Sequence, residues 1–239
     1  MKRMAIAAVG LAFGVVAVLL LTACAEEEEV QTVAATPTVE EVVSPEPEPI
    51  DTSSPPTATA VPPTATVVPA PVVLEGFGQT ATDPITPPSA ISRLIFTHNG
   101  SSNFIVQSFQ GGEEDYVINE IGAYHGSRPL FGDEPIVFDI DADGAWTLRV
   151  EPIGMAASSA FAGRGDAVSD MFSPPPDPSP WVIRHTGQRN FVVWVHCAGG
   201  SDLIQNEIGP VDASTIVQFE DGPCLWEVEA DGEWSLAPH

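Results

Sequence analysis

Ala142-Asp143-Gly144-Ala145-Trp146-Thr147-Leu148 returns as Ala230-Asp231-Gly232-Glu233-Trp234-Ser235-Leu236. The pair belongs to a longer duplication, whose spacing is 87 residues and becomes 88 after a one-residue insertion. Gly76-Phe77-Gly78 recurs as Gly163-Arg164-Gly165, His98 to Val106 as His185 to Val193, and Asn119-Glu120-Ile121-Gly122 as Asn206-Glu207-Ile208-Gly209. Self-similarity over this length with one indel marks two homologous modules. Within each copy the apolar residues alternate: Phe191, Val193 and Val195 lie against Val192, Trp194 and His196, and Trp226, Val228 and Ala230 against Leu225, Glu227 and Glu229. A period of two is that of a β-strand. Asp143-Gly144 and Asp231-Gly232 fall between two such runs and read as hairpin turns, which need positive φ. About five or six short strands per copy, broken by Gly, Pro and Asn, predict an all-β chain of two tandem small β-sandwich modules, jelly-roll-like. The predicted boundaries are 76–153 for module 1, 154–162 for a linker and 163–239 for module 2.

The Gly-x-Gly opening, the Gly-x-x-Asn-Phe strand, the Asn-x-x-Gly turn and the closing Asp-Gly-x-Trp together resemble a module of secreted and lipid-anchored bacterial proteins. The resemblance covers residues 76–239, implies an extracytoplasmic β-module, and brings no catalytic residues with it.

The N-terminus agrees with that setting. Lys2 and Arg3 precede an uncharged apolar run from Met4 to Leu21, the n- and h-regions of an export signal. Leu21-Thr22-Ala23-Cys24 resembles the lipobox of bacterial prolipoproteins, which implies a signal peptide over 1–23, cleavage before Cys24 and acylation of its thiol. Two or three acyl chains anchor stably where one is marginal, so the expected location is the outer face of the cell membrane. The competing reading is an uncleaved membrane helix, since a span needs about 20 apolar residues. Residues 24–75 carry ten prolines among Thr, Ala, Val and Glu, with no glycine or aromatic residue. They read as a disordered, polyproline-like stalk reaching on the order of 150 Å when extended.

The formal charge is −25. Such a surface repels phosphate backbones and anionic headgroups, which disfavours nucleic acid and anionic membrane surfaces as partners. No serine-hydrolase elbow, zinc-protease motif, phosphate loop or CxxC pair occurs, so no catalytic residue and no cofactor is assigned. Asp139, Asp141 and Asp143 open like an EF-hand loop, but its twelfth position is Val150, and a solvated acidic strand is the favoured reading over a metal site. His98 and His185 precede a glycine in both copies and read as turn-capping histidines, with a ligand or general-base role as the alternative. Asn119-Glu120 and Asn206-Glu207 read as turn residues, with a recurring polar site as the alternative. Trp146 and Trp234 read as core. Trp194 and His196 stand on the face opposite Phe191 and Val193, as a binding surface or as a face covered by module 1. With Cys24 acylated, Cys197 and Cys224 are the remaining thiols and are expected to form a disulfide in an exported protein. The expected function is non-catalytic binding of a cell-wall glycan, an extracellular polymer or a protein partner. A structural spacer or adhesion element, and a hydrolase of unrecognised type, are the alternatives.

Overall fold

Alternating burial produces strands throughout residues 68–239, the part of the chain that the computed structural model describes. The expected signal segment, Cys24 and the expected stalk up to residue 67 lie outside the described residues. Module 1 runs through β1 (Val72–Phe77), β2 (Thr80–Ala81), β3 (Ile91–His98), β4 (Asn103–Gln110), β5 (Glu113–Ile121), β6 (Tyr124–Phe131), β7 (Ile136–Asp141) and β8 (Ala145–Pro152). Two four-stranded antiparallel sheets result, ordered β1-β8-β3-β6 and β2-β7-β4-β5. Module 2 repeats the plan with β9 (Phe161–Arg164), β10 (Ala167–Val168), β11 (Ser179–His185), β12 (Asn190–Cys197), β13 (Gly200–Ile208), β14 (Val211–Val217), β15 (Cys224–Glu229) and β16 (Glu233–Pro238), in sheets ordered β14-β11-β16-β9 and β10-β15-β12-β13. Consecutive strands stay in one sheet only at β4-β5 and β12-β13; every other step inside a module crosses to the facing sheet, which is the jelly-roll weave.

Each copy thus has more strands than the five or six expected, because β2 and β10 are only two residues long and leave no alternation to read. Strand β1 starts at Val72, ahead of Gly76, and β9 starts at Phe161, inside the stretch expected to be linker. The connector is itself bound: Gly154 O accepts from Met171 N, and Ala156 N donates to Met171 O.

The hairpin reading of Asp143-Gly144 is corrected. Strand β7 pairs with β2 and β4, whereas β8 pairs with β1 and β3, so the dipeptide carries the chain from one sheet to the other. Neither Gly144 nor Gly232 has positive φ. Glycine stands there because backbone passes close by: a Cβ on Gly144 would come within 2.6 Å of Gly100 N.

The cores follow the alternation. In module 1 Phe96 meets Phe104 and Phe138 edge-on, with ring centroids 6.4 and 6.2 Å apart. In module 2 Trp181 and Trp226 pack edge-on at 5.1 Å. Cys197 and Cys224 are register partners on β12 and β15 and form a disulfide with Cα atoms 4.1 Å apart. Their copy-1 counterparts, Gln110 and Ile136, are register partners too, so the cross-link of module 2 lies at a site that the fold brings together in both copies. Between the modules Ile153, Val168 and Leu225 form a small buried cluster with Ile91 and Met171.

Candidate binding cleft between the modules

The residues that repeat build the same corner in each module. Trp146 lies over Gly76, whose missing Cβ makes room for the indole, and its N–H donates to Gly78 O at 3.1 Å. Trp234 does the same over Gly163, donating to Gly165 O at 2.7 Å. His98 stacks on Phe104 with centroids 4.5 Å apart, and its Nδ1 lies 2.8 Å from Gly122 O. Its Nε2 lies 3.4 Å from Asp143. His185, Phe191, Gly209 and Asp231 reproduce the set at 4.4, 2.9 and 3.3 Å. The Asp143 carboxylate accepts from Ser101 N and Ser102 N, which hold it below the ordinary aspartate range. Asp231 is held low by the N–H of Gln188 and then of Arg189. The histidines are therefore turn-capping and closed in. Gly122 and Gly209, both at φ near 91°, are what the Asn-Glu-Ile-Gly motif supplies to the corner.

The residues that differ between copies build the junction. Tyr124, Arg128 and Arg93 of module 1 correspond to Val211, Thr215 and Pro180, while Asp166 of module 2 corresponds to Gln79. Arg128 Nη2 lies 3.0 Å from Asp166 and 3.5 Å from Glu229. The Tyr124 hydroxyl donates to Asp166 at 2.9 Å, and the other Asp166 oxygen accepts from Ala230 N at 2.9 Å. Arg93 Nη2 reaches Asp170 at 2.7 Å. Backbone joins in, Val168 N donating to Ser127 Oγ at 2.9 Å. Burial raises the Tyr124 hydroxyl pKa well above its ordinary value. For Arg128 burial opposes the charge, but Asp166, Tyr124, Glu229 and Glu227 outweigh it and the pKa rises.

Beside this junction is a cavity of about 990 Å³ with Glu120, Tyr124 and His125 on the module 1 side and Arg164, Arg189 and Glu229 on the module 2 side. Glu120 and Glu229 also line a second cavity of about 430 Å³, together with Arg128, His196 and Glu227. Burial is the first cause that pushes both Glu120 and Glu229 above the ordinary glutamate range. Glu120, expected at a tight turn or in a polar site, lies in β5 and lines the cleft.

Of the sequence-predicted pair, His196 meets module 1, with its ring 5.2 Å from that of Phe131. Trp194 is half-buried beside it at 6.4 Å. His196 Nδ1 is 2.8 Å from Ser201 Oγ, and Nε2 is 2.8 Å from Glu227. This Ser-His-Glu row crosses three neighbouring strands, β13, β12 and β15. Ser201 is exposed and lines neither cavity, so nothing excludes water from it as a nucleophile's surroundings would. Asp139 and Asp141 belong to β7 while Asp143 caps Ser101 and Ser102; among the described residues no group of three or more His, Cys, Asp or Glu could hold a metal ion. Sequence reasoning missed Arg93, Tyr124, Arg128 and Asp166. Their signal was divergence between otherwise matching copies.

No protein-family model matches the chain, and no curated protein is significantly similar to it.

Proposed function

We propose that the chain is a lipoprotein held at the outer face of the cell membrane through acylated Cys24, and that its paired jelly rolls bind a hydroxyl-rich cell-wall or extracellular polymer without covalent chemistry. The observation that carries this reading is the cavity of about 990 Å³ lined by residues of both copies. Carboxylates at Glu120 and Glu229 offer acceptors to ligand hydroxyls, and the side chains of Gln188 and Asn190 offer amide donors and acceptors. A concave site with a few convergent polar groups is the usual form of a ligand site. A plain spacer needs repeats in line but no cavity shared between them.

The test is a panel of cell-wall and capsular oligosaccharides against the full-length chain in detergent micelles, beside Ala123→Trp, which fills the cavity from an exposed lining position. The wild type should retain at least one saccharide class, and the variant should lose it at an unchanged melting temperature. Retention of none by the wild type refutes the polymer reading. Cys24→Ser should abolish incorporation of labelled palmitate; persistent labelling would refute the anchor.

A second reading, hydrolysis, is favoured by the Ser201-His196-Glu227 row. Labelling of the chain by a fluorophosphonate, lost in Ser201→Ala, would establish it over binding alone.

A further inference from the structure

We infer that the junction cavity recognises a carboxylate on its ligand, so that the polymer it takes is a glycan of uronic-acid type, with Arg164 and Arg189 holding the acid. The inference rests on the polymer reading above and adds the ligand's charge to it.

The chain has a formal charge of −25, and beyond Lys2 and Arg3 its cations are Arg93, Arg128, Arg149, Arg164, Arg184 and Arg189. On so acidic a surface a guanidinium finds a carboxylate readily. Arg93, Arg128, Arg149 and Arg184 each lie within 4.0 Å of one. Among the described residues Arg164 and Arg189 are the two arginines without such a partner, and both line the same cavity, together with His125. Their counterparts in module 1 are Phe77 and Ser102, so both cations belong to the copy-specific residues, as the junction residues do.

The cavity's own carboxylates do not neutralise them. Asp166 is taken by Arg128, Tyr124 and Ala230 N. Asp231 is taken by the N–H groups of Gln188 and Arg189, with the His185 ring beside it. Glu229 is shared with Arg128 at 3.5 Å, and Glu120 remains. Arg189 is close enough to act on Glu120, yet no ion pair closes between them. Both glutamates line the cavity and offer oxygens to ligand hydroxyl groups. The uncommitted lining therefore offers guanidinium forks on one side and hydroxyl partners on the other. A planar fork matches a carboxylate by two parallel hydrogen bonds, and such charge-assisted pairs are the strong ones. A sugar acid presents both chemistries on one ring.

The probes are a galacturonate tetramer, the same tetramer methyl-esterified, and a glycerol-phosphate oligomer, titrated calorimetrically into the full-length chain in detergent and into its Arg164→Gln/Arg189→Gln variant. Both arginines are exposed, and an unchanged melting temperature will confirm that the variant folds. The acid should bind, the ester roughly tenfold or more weakly, and the variant should lose the difference between them. Equal binding of acid and ester overturns the inference and leaves the polymer reading standing. Tighter binding of the phosphate oligomer assigns the arginines to phosphate and overturns the carboxylate. Binding of none of the three, with an empty saccharide panel, removes both.

Discussion

The guanidinium of Arg128 and the carboxylate of Asp166 lie 3.0 Å apart across the module junction, with side chains only 11% and 9% exposed. Neither residue survives in the other copy, where Thr215 and Gln79 occupy the positions. The pair thus belongs to the junction between the copies and is not shared by both modules.

Removing one member of such a pair strands the other. Asp166→Ala also deprives the Tyr124 hydroxyl and Ala230 N of their acceptor, so it should weaken the junction by about 3 kcal/mol or more. Differential scanning calorimetry should then resolve separate transitions for two uncoupled modules. A single transition at the wild-type temperature would refute the coupling.

The junction and the corners respond to acid in opposite directions. Glu120 and Glu229 have pKa values raised by burial, so their contribution is full below the ordinary carboxylate range, near about pH 4, and is lost as pH rises through the raised values. Asp143 and Asp231 have lowered values, so theirs is full above that range and lost as pH falls through the lowered ones. The junction should be tightest in mild acid and looser at neutral pH, while strong acid loosens the corners. Glu229→Gln should flatten the first dependence in melting curves taken across pH; an unaltered curve would count against it.

Glycine is required where indoles lie on the backbone. A Cβ on Gly163 would stand 2.8 Å from the Trp234 ring, whereas one on Gly154 meets nothing closer than 3.7 Å. Gly163→Ala should cost module 2 about 1–3 kcal/mol by overpacking, and Gly154→Ala should be nearly neutral. Equal denaturant midpoints for the two variants would contradict the packing.

The disulfide between Cys197 and Cys224 closes a separation of 27 residues. In the chain-entropy model that stabilises module 2 by about 3.5 kcal/mol. Reduction should lower the module 2 transition and expose two alkylatable thiols by mass spectrometry. Thiols already alkylatable in unreduced protein would contradict the bond.

What could be read from sequence was what is local or duplicated. The period-two pattern of Phe191 to Val195 places a strand wherever it occurs, and the two late cysteines fall at strand ends that the repeat aligns. Whether Asp143-Gly144 turns back within a sheet or crosses to the next was not readable, because both turns use the same residues and the choice depends on which strands pair. The junction escaped for a related reason: Arg128 and Tyr124 sit in β6, and the carboxylate that both meet, Asp166, comes from the second module.

The pairing of β1 with β8, Val72 opposite Val150 and Phe77 opposite Ala145, bears on how the protein acquires its structure. Each module joins its first long strand to its last, as β9 and β16 do again. No local hairpin can serve as a stable stopping point for the sheet that contains them. Folding of either module must wait until its final strand has emerged, and the cost of closing so long a loop precedes the gain. A chain crossing a membrane from its N-terminus would therefore hold module 1 open until residue 152 is free, folding in milliseconds to seconds as non-local β architectures do.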